Sequence, residues 1–377
     1  MTRILLSTPV FKPMVGGMET MAHNLAEHFT NRGFLVTLVT PIAASEPDDA
    51  PYEIVRQPSP SKFYQLVKRS EVVFCNGASL FAAPYTILAN TPVIVRHTNY
   101  VVSSIDGAGW YDGRPAPLRP AASILHHLRH GNFWNTLRGA LKIAALRLYV
   151  TRFVTKNVAI SDWMLHRHPL PNQVRIHNPF PISKFVGAEN ITGDYDYDFF
   201  FLGRLITEKG VDTLLQAFEI LQQRAQGRYR LLIIGDGPDR DRLEAIAERT
   251  GQADRITFAG MRTGQSLLDH IRSARIAVLP SIWEEPFGGA STELMAAGKN
   301  LIVSRDGALS EIVADGGLSF PNGDAASLAS AMDRLITDPN LQSTQLAAAQ
   351  RRLAAFDENR LIDAYIDVID EVVGKEI

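Results

Sequence analysis

The stretch from residue 198 to residue 211 reads DFFFLGRLITEKGV, and it passes from an apolar run through a charged loop into a helical pattern. The short run Phe199–Leu202 is typical of a buried strand in a parallel sheet. After the loop, apolar residues recur at the spacing of one helix face: Val211, Leu214, Leu215, Phe218 and Leu221. This order of strand, loop and helix is the repeating unit of an α/β fold.

The same order recurs along most of the chain. Further strands are predicted at Ile4–Leu6, Leu35–Val39, Val72–Cys75, Val93–Arg96, Val158–Ile160, Leu231–Ile234, Ile256–Phe258, Ile276–Leu279 and Leu301–Val303. We therefore predict two doubly wound, Rossmann-like domains, residues 1–180 and 195–357, that face each other across a cleft. Residues 358–377 contain one more amphipathic helix, over Leu361–Val373, which we expect to cross back to the first domain.

Composition excludes several classes of protein. With 377 residues, 46% of them hydrophobic and 21% charged, the chain has the balance of a globular protein with a large core. A net charge of −2 gives no overall basic field to hold nucleic acid. The single cysteine, Cys75, rules out a disulfide framework. The apolar run before Pro9 is too short for a signal sequence or a membrane span, so we expect a cytoplasmic protein.

Two loops of the second half carry residues suited to binding a nucleotide. Arg204 and Lys209 lie five residues apart and can converge on one anion such as a diphosphate, although a solvated loop has the same composition. After the strand Ile276–Leu279, Gly288 and Gly289 precede a predicted helix whose free N–H groups suit an anion.

The same second loop also carries two carboxylates. Glu285 and Glu293 are poor anion ligands but good acceptors for sugar or ribose hydroxyls, and the alternative for Glu293 is an exposed helix residue.

The first half offers fewer candidates. Gly16 and Gly17 precede a predicted helix with Glu19 in its first turn, and they form a second candidate anion site. His97 follows the strand Val93–Arg96, where a histidine is either a catalytic group or a structural hydrogen-bonding residue.

In sequence order, four segments of the second half form a recognisable set. They are Gly203–Gly210, Gly235–Pro238, Phe258–Gly260 and Glu285–Glu293. Together they resemble the nucleotide-sugar half of the family 4 retaining glycosyltransferases, the GT-B fold enzymes known as glycosyl transferases group 1. The first half resembles the family more weakly, through Gly16, Gly17, His97, Ala159–Ser161 and Asn178.

The resemblance implies a role for each matching position. Arg204 and Lys209 would neutralise the donor diphosphate, Glu285 would bind hydroxyls of the transferred sugar, and His97 would lie near its reactive carbon. Glu293 would hold the ribose. The other positions implied in donor binding are Gly16, Gly17, Gly203, Gly235, Met261, Phe287, Gly288, Gly289, Ala290 and Ser291.

The implied activity is transfer of a hexose-type sugar, with retention of anomeric configuration, from a nucleotide diphosphate. A UDP-sugar is favoured over a GDP-sugar, and the acceptor would be a carbohydrate or a lipid-linked saccharide of polysaccharide or glycolipid synthesis. The acceptor would bind the first domain. Two alternatives stay open: a sugar phosphorylase or epimerase on the same fold, and a non-catalytic nucleotide-sugar-binding protein.

A metal cofactor is not expected. The sequence Asp194–Asp198 has the Asp-x-Asp spacing of metal–diphosphate sites, but it precedes a strand instead of following one. We interpret it as an acidic lead-in to the sheet.

One segment is unusual in its charge. From residue 113 to residue 161 there is no Asp or Glu, whereas eight Lys or Arg residues alternate with large apolar ones. Such a helix can lie on an anionic membrane, here through residues 114–156, or it can be a core helix with a solvated basic face. The first interpretation would place the protein peripherally on the inner face of the membrane.

Overall fold

The computed structural model describes residues 1–14, 16–44, 47–188 and 193–374. The chain divides into two compact units. Unit 1 comprises residues 1–179 and 358–377, of which 375–377 lie outside the described residues, and unit 2 comprises residues 180–357.

Unit 1 contains a sheet of seven parallel strands in the order β3-β2-β1-β4-β5-β8-β9. The strands of the unit are β1 (Arg3–Ser7), β2 (Leu35–Thr40), β3 (Glu53–Arg56), β4 (Val72–Asn76), β5 (Val93–His97), β6 (Trp110–Tyr111), β7 (Arg114–Pro115), β8 (Lys156–Ala159) and β9 (Gln173–Arg175). Its helices are α1 (Gly17–Asn31), α2 (Pro60–Arg69), α3 (Ala83–Ala89), α4 (Pro120–His130), α5 (Phe133–Arg152) and α6 (Asp162–Arg167). β6 and β7 form a separate antiparallel hairpin.

Unit 2 contains a sheet of six parallel strands in the order β12-β11-β10-β13-β14-β15. Its strands are β10 (Tyr197–Leu202), β11 (Leu231–Ile234), β12 (Ile256–Gly260), β13 (Ala274–Leu279), β14 (Asn300–Ser304) and β15 (Gly317–Phe320). Its helices are α7 (Val211–Arg224), α8 (Arg240–Arg249), α9 (Gly264–Arg272), α10 (Gly289–Ala296), α11 (Ala308–Val313), α12 (Ala325–Thr337) and α13 (Pro339–Leu353). The predicted class, α/β with parallel sheets, is confirmed.

The position of β10 in the second sheet matters for ligand binding. From β10 the chain proceeds on one side to β11 and β12, and on the other side to β13, β14 and β15. The strand order therefore reverses between β10 and β13. In open α/β sheets, ligands bind outside the carboxyl ends of the strands at this kind of switch point.

Helix periodicity is a reliable guide in both units. In α1 the buried side chains are Met21, Ala22, Leu25, Ala26 and Phe29, as the spacing predicts. Helix α7 buries Val211, Leu214, Leu215, Phe218 and Leu221 against the second sheet. Among the helices of the described ranges, none is long and apolar enough to span a membrane.

The last helix, α14 (Glu358–Val373), returns to unit 1 and packs against α1, β4 and β5. Its Tyr365 hydroxyl accepts a hydrogen bond from Arg96 Nε at 3.2 Å. The Arg96 guanidinium is buried, and it also donates to the Oδ1 atoms of Asn76 and Asn178. Burial lowers the pKa of Arg96, since no water solvates the charge. Three neutral oxygens from three separate segments therefore satisfy one buried cation.

Five strands are not predicted by the sequence: β6 and β7 of the hairpin, and β3, β9 and β15 of the parallel sheets. Strands β3, β9 and β15 are all edge strands. Their residues are mostly half-buried or exposed. An edge strand is paired on one side only, so it needs no continuous apolar run. Strand prediction from apolar runs therefore finds the central strands and the edge strand β12, and it misses the other three edge strands.

Candidate functional site

The loops that follow β10 and β13 meet at the switch point of the second sheet. Residues Thr207–Lys209 form one turn of 3₁₀ helix, and the N–H of Ile282 donates to the carbonyl of Glu208 at 2.9 Å. The two loops predicted to bind a nucleotide therefore contact each other directly.

Gly210 permits this contact. Its φ of +67° is in the left-handed region, and a Cβ atom at this position would lie 2.0 Å from the carbonyl oxygen of Pro280. Any side chain would therefore force the two backbones apart. The sequence identifies Gly210 only as the last residue of the segment Gly203–Gly210, and its packing role is visible only in the structure.

Lys209 and Glu285 form an ion pair across these loops. The Lys209 ammonium donates to Glu285 Oε1, and the Ser281 hydroxyl donates to the same carboxylate at 2.5 Å. Burial alone would raise the pKa of Glu285, but the charge of Lys209 and the hydrogen bonds from Lys209 and Ser281 together bring it below its usual value. The Glu285 carboxylate is therefore ionised at neutral pH, and the pair places a cation beside a hydroxyl acceptor. Ser281 was not predicted, since a serine after a strand carries no distinct signal.

Arg204 is placed differently from Lys209. It is exposed, and its guanidinium forms no ion pair with any residue in the described part of the chain. Its charge is thus available to an incoming anion, whereas that of Lys209 is shared with Glu285.

Helix α10 begins immediately after the loop of Glu285. Gly288 has a φ of +84°, and a Cβ atom there would lie 2.3 Å from the Leu309 side chain. A Cβ atom on Gly289 would lie 2.7 Å from the Phe180 ring. The lack of side chains on both glycines therefore allows the helix to begin against the Leu309 and Phe180 side chains. Ala290 is half-buried, and the Ser291 hydroxyl is engaged with the Gly288 carbonyl at 2.7 Å.

Phe287 contributes to the interior of unit 2. It is buried, and its ring lies 5.8 Å from that of Phe180 and 6.3 Å from that of Phe356. Its side chain therefore anchors the loop within unit 2.

The loops after β10 and β11 are also in close contact. A Cβ atom on Gly235, whose φ is +142°, would lie 1.8 Å from the carbonyl oxygen of Gly203. The N–H of Gly235 donates to the carbonyl of Gly260 at 3.0 Å, which connects the loop after β12. Met261, which follows Gly260 in sequence, is exposed. Gly203, Gly235 and Met261 thus belong to three adjacent loops at one edge of the sheet.

Glu293 lies in α10 and is half-buried, and its carboxylate has no hydrogen-bond partner in the described ranges. Burial raises its pKa to about 7. A half-buried carboxyl without a partner suits a site in which a ligand supplies the missing donors, such as the hydroxyls of a ribose.

This carboxyl makes stability depend on pH. Since its pKa is higher in the folded chain than the ordinary value of 4.5, the folded state gains most when Glu293 is protonated, and the gain is lost as the pH rises through about 7. We expect urea unfolding to show a loss of about 2 kcal/mol between about pH 5 and about pH 8 that the Glu293→Gln variant lacks. The surface variant Glu248→Gln serves as the control, and an identical pH profile for Glu293→Gln and the wild type would contradict the assignment.

In unit 1, Gly16 and Gly17 lie at the start of α1. Gly16 precedes the first residue of the helix in extended conformation, and a Cβ atom on it would lie 2.6 Å from the Glu19 carboxylate. A Cβ atom on Gly17, in contrast, would have no other atom of the described residues within 4 Å. The carboxylate of Glu19 therefore occupies one side of the predicted anion site.

His97 is the last residue of β5 and is fully buried. Both N–H groups of the Asn157 amide donate to carbonyls, of Val150 and Pro171, so its Oδ1 accepts from His97 Nε2 at 2.9 Å. Burial lowers the pKa of His97 to about 4, which keeps the ring neutral. This arrangement matches the structural hydrogen-bonding alternative, and the catalytic role of His97 stays a prediction.

A cavity of about 330 Å³ opens beside the loop between β1 and α1. Among its lining residues, His23 Nδ1 lies 2.6 Å from the Tyr52 hydroxyl, and Arg56 forms a bidentate ion pair with Asp48. This pair lowers the pKa of Asp48. Sequence reasoning missed this cavity because its residues come from three separate segments without a motif.

The Asp-x-Asp sequence lies at the amino end of β10, whereas Gly203 follows its carboxyl end. Asp198 accepts a hydrogen bond from the backbone N–H of Arg230 at 2.8 Å. Asp198 therefore has a role within the sheet.

With this geometry described, comparison with known proteins is informative. The chain has the GT-B fold: HepE of Anabaena, solved in complex with UDP, superimposes with a TM-score of 0.73 over 98% of this chain and 100% of that one, at 18% identity. Residues 188–352 match the glycosyl transferases group 1. This match covers less than half of the chain.

Two curated relatives have higher sequence identity to part of the chain. An uncharacterized glycosyltransferase of Methanocaldococcus jannaschii is 37% identical over 113 residues, which is 30% of this chain and 28% of that protein. Mannosylfructose-phosphate synthase of Agrobacterium fabrum is 31% identical over 176 residues, 43% of this chain and 38% of that protein. The matches thus span well under two thirds of either relative.

Proposed function

We propose that the chain is a retaining glycosyltransferase that moves a hexose-type sugar from a UDP-sugar, in preference to a GDP-sugar, to a carbohydrate or lipid-linked acceptor. The observation that carries the proposal is the contact between the loops of Lys209 and Glu285 at the switch point. It combines a cation for a diphosphate with a carboxylate for sugar hydroxyls. The match of residues 188–352 to the glycosyl transferases group 1 and the UDP bound to HepE support the choice of donor.

In the proposed reaction the bond between the anomeric carbon and the diphosphate oxygen breaks, and the nucleoside diphosphate leaves. Arg204, Lys209 and the amino end of α10 stabilise the charge that develops on the leaving group. An acceptor hydroxyl bonds to the anomeric carbon on the same face, and its proton passes to the departing phosphate oxygen. No side chain is required as a covalent nucleophile.

The acceptor side of the proposal rests on unit 1. The cavity lined by His23, Asp48 and Tyr52 offers aromatic surface together with charged and hydroxyl groups. These are the groups that bind a saccharide. We therefore propose this cavity for the acceptor, in polysaccharide or glycolipid synthesis at the cytoplasmic face of a membrane.

We further propose that the reaction needs no metal ion. The positive charges of Arg204 and Lys209, with the amino end of α10, are the groups offered to the diphosphate. Transfer measured in EDTA should then equal transfer measured in magnesium. A loss of transfer in EDTA that magnesium restores would overturn this part of the proposal.

The donor is tested by calorimetric titration of the full chain with UDP, GDP, ADP and TDP in EDTA. We expect UDP to bind most tightly, because the loops around Gly235 and Met261 would enclose a small base. Arg204→Gln should weaken binding about tenfold, whereas Arg249→Gln, an exposed arginine in α8, should not. Binding of none of the four nucleotides would overturn the glycosyltransferase proposal. NMR of the product's anomeric proton then tests retention.

A further inference from the structure

The outer side of helix α5 is apolar although it is exposed. Trp134, Leu141 and Leu148 are 65%, 64% and 59% exposed, and they recur every seven residues, which places them on one stripe of the helix. Phe133 is equally exposed and lies against Trp134, with ring centroids 5.5 Å apart. The opposite side of α5 faces the interior through Ile143, Leu146 and Val150.

The neighbouring helix also exposes apolar side chains. Helix α4 packs against α5 and exposes Leu125 and Leu128, each by nearly half. A single exposed leucine is ordinary, but large apolar side chains grouped on two packed helices indicate an interaction surface. We call these six residues of α4 and α5 the apolar stripe: Leu125, Leu128, Phe133, Trp134, Leu141 and Leu148.

The segment that contains the apolar stripe also exposes basic side chains. The exposed ones are Arg114, Arg119, Arg129, Arg138, Lys142 and Arg152, and none of them forms an ion pair within the described ranges. No Asp or Glu occurs between residues 113 and 161 to offset them. Two further cations of the segment are otherwise engaged: Lys156 pairs with Glu371, and Arg147 donates to the Val102 carbonyl.

The combination of exposed apolar and exposed basic side chains favours a membrane surface over a solvated core helix for this segment. A solvated core helix would expose its charged residues and cover its large apolar ones, yet α5 exposes both. A second copy of the chain would bring two unpaired basic surfaces together, which is unfavourable. Anionic lipid headgroups complement the cations, and the acyl region accepts Trp, Phe and Leu side chains.

We propose that the apolar stripe inserts into the headgroup region of an anionic lipid bilayer, with Arg129, Arg138, Lys142 and Arg152 binding the lipid phosphates. This docking deepens the proposed function, because it would hold unit 1 at the surface where a lipid-linked acceptor is found. The docking itself needs neither donor nor acceptor, so its failure and the failure of sugar transfer are separate results.

The test is co-sedimentation of the full chain with vesicles. We expect pelleting with phosphatidylcholine that contains about one third phosphatidylglycerol, little with phosphatidylcholine alone, and weaker pelleting as salt increases. The triple variant Trp134→Ser/Leu141→Ser/Leu148→Ser should reduce the bound fraction at least about tenfold. The variant Arg138→Gln/Lys142→Gln/Arg152→Gln should do the same.

Matched controls use residues of the same kind elsewhere. Leu88, 73% exposed at the end of α3, gives Leu88→Ser, and exposed arginines of unit 2 give Arg224→Gln/Arg249→Gln. Thermal unfolding shows whether each variant is folded. Absence of pelleting by the wild type, or equal pelleting by the stripe variants, would overturn the proposal. The proposal would also be overturned if light scattering showed that the wild type and the control variants are dimers and that the stripe variants are monomers.

Discussion

The Glu285→Gln variant is expected to bind UDP about threefold to tenfold more tightly than the wild type, and to transfer sugar at least about tenfold more slowly. In the wild type the buried Glu285 carboxylate shares the charge of Lys209. Glutamine removes this negative charge from the neighbourhood of the diphosphate and frees the ammonium. It also weakens the acceptor that the sugar hydroxyls would use.

Lys209→Met is expected to change binding in the opposite direction. It removes a charged donor to the diphosphate and leaves Glu285 buried without its counter-ion, so UDP binding should fall about tenfold to a hundredfold. The double variant Lys209→Met/Glu285→Gln should recover much of the lost folding stability, because both charges are removed. It should not recover the transfer activity. Calorimetry with UDP and a transfer assay measure the two effects.

The neighbouring Glu208→Gln is the matched control for both variants, since only its backbone carbonyl holds the loop. If Glu285→Gln bound UDP more weakly than the wild type, or if Glu208→Gln behaved in the same way, the ion pair would not control the nucleotide site.

Gly210→Ala is expected to be among the most destabilising single substitutions in unit 2. Its Cβ atom would overlap the Pro280 carbonyl oxygen, so the two loops must separate and the free energy of unfolding should fall by more than about 3 kcal/mol. UDP binding should fall with it, because Lys209 is the adjacent residue.

Gly251→Ala separates the clash from the backbone conformation. Gly251 has the same φ of +67°, but a Cβ atom there would have open space around it. It should therefore lose only the left-handed penalty of about 1–2 kcal/mol. Urea denaturation of both variants gives the comparison, and equal losses would show that the contact with Pro280 does not matter.

The parts of the fold that follow from sequence are those with strong local signals. The central strands and α1 or α7 carry apolar runs and helical spacing, so the α/β class with parallel sheets is predictable. The edge strands β3, β9 and β15 depend on pairing with a neighbour, which the local sequence does not encode.

The candidate site also has features that can be predicted from local sequence and features that depend on distant residues. Motif resemblance selects Arg204, Lys209, Glu285 and Glu293, but the ion pair between Lys209 and Glu285 depends on two loops 76 residues apart in sequence. The burial of His97 depends on Asn157 and the helix layer, which sequence position alone does not reveal. The exposure of Trp134 and Leu141 likewise has to be read from the fold, because periodicity does not tell which side of an apolar helix faces inward.

The buried Arg96 has a consequence for how the protein is made. Tyr365, which accepts a hydrogen bond from Arg96 and packs edge-on against Phe74 at 5.8 Å, is translated only after the whole of unit 2. While the ribosome synthesises residues 180–357, the nascent first unit therefore lacks α14, and the Arg96 guanidinium lacks its phenol. Domains commonly fold from the amino terminus as they emerge. Here the order is reversed at the last step: the first unit to be translated is the last to be completed.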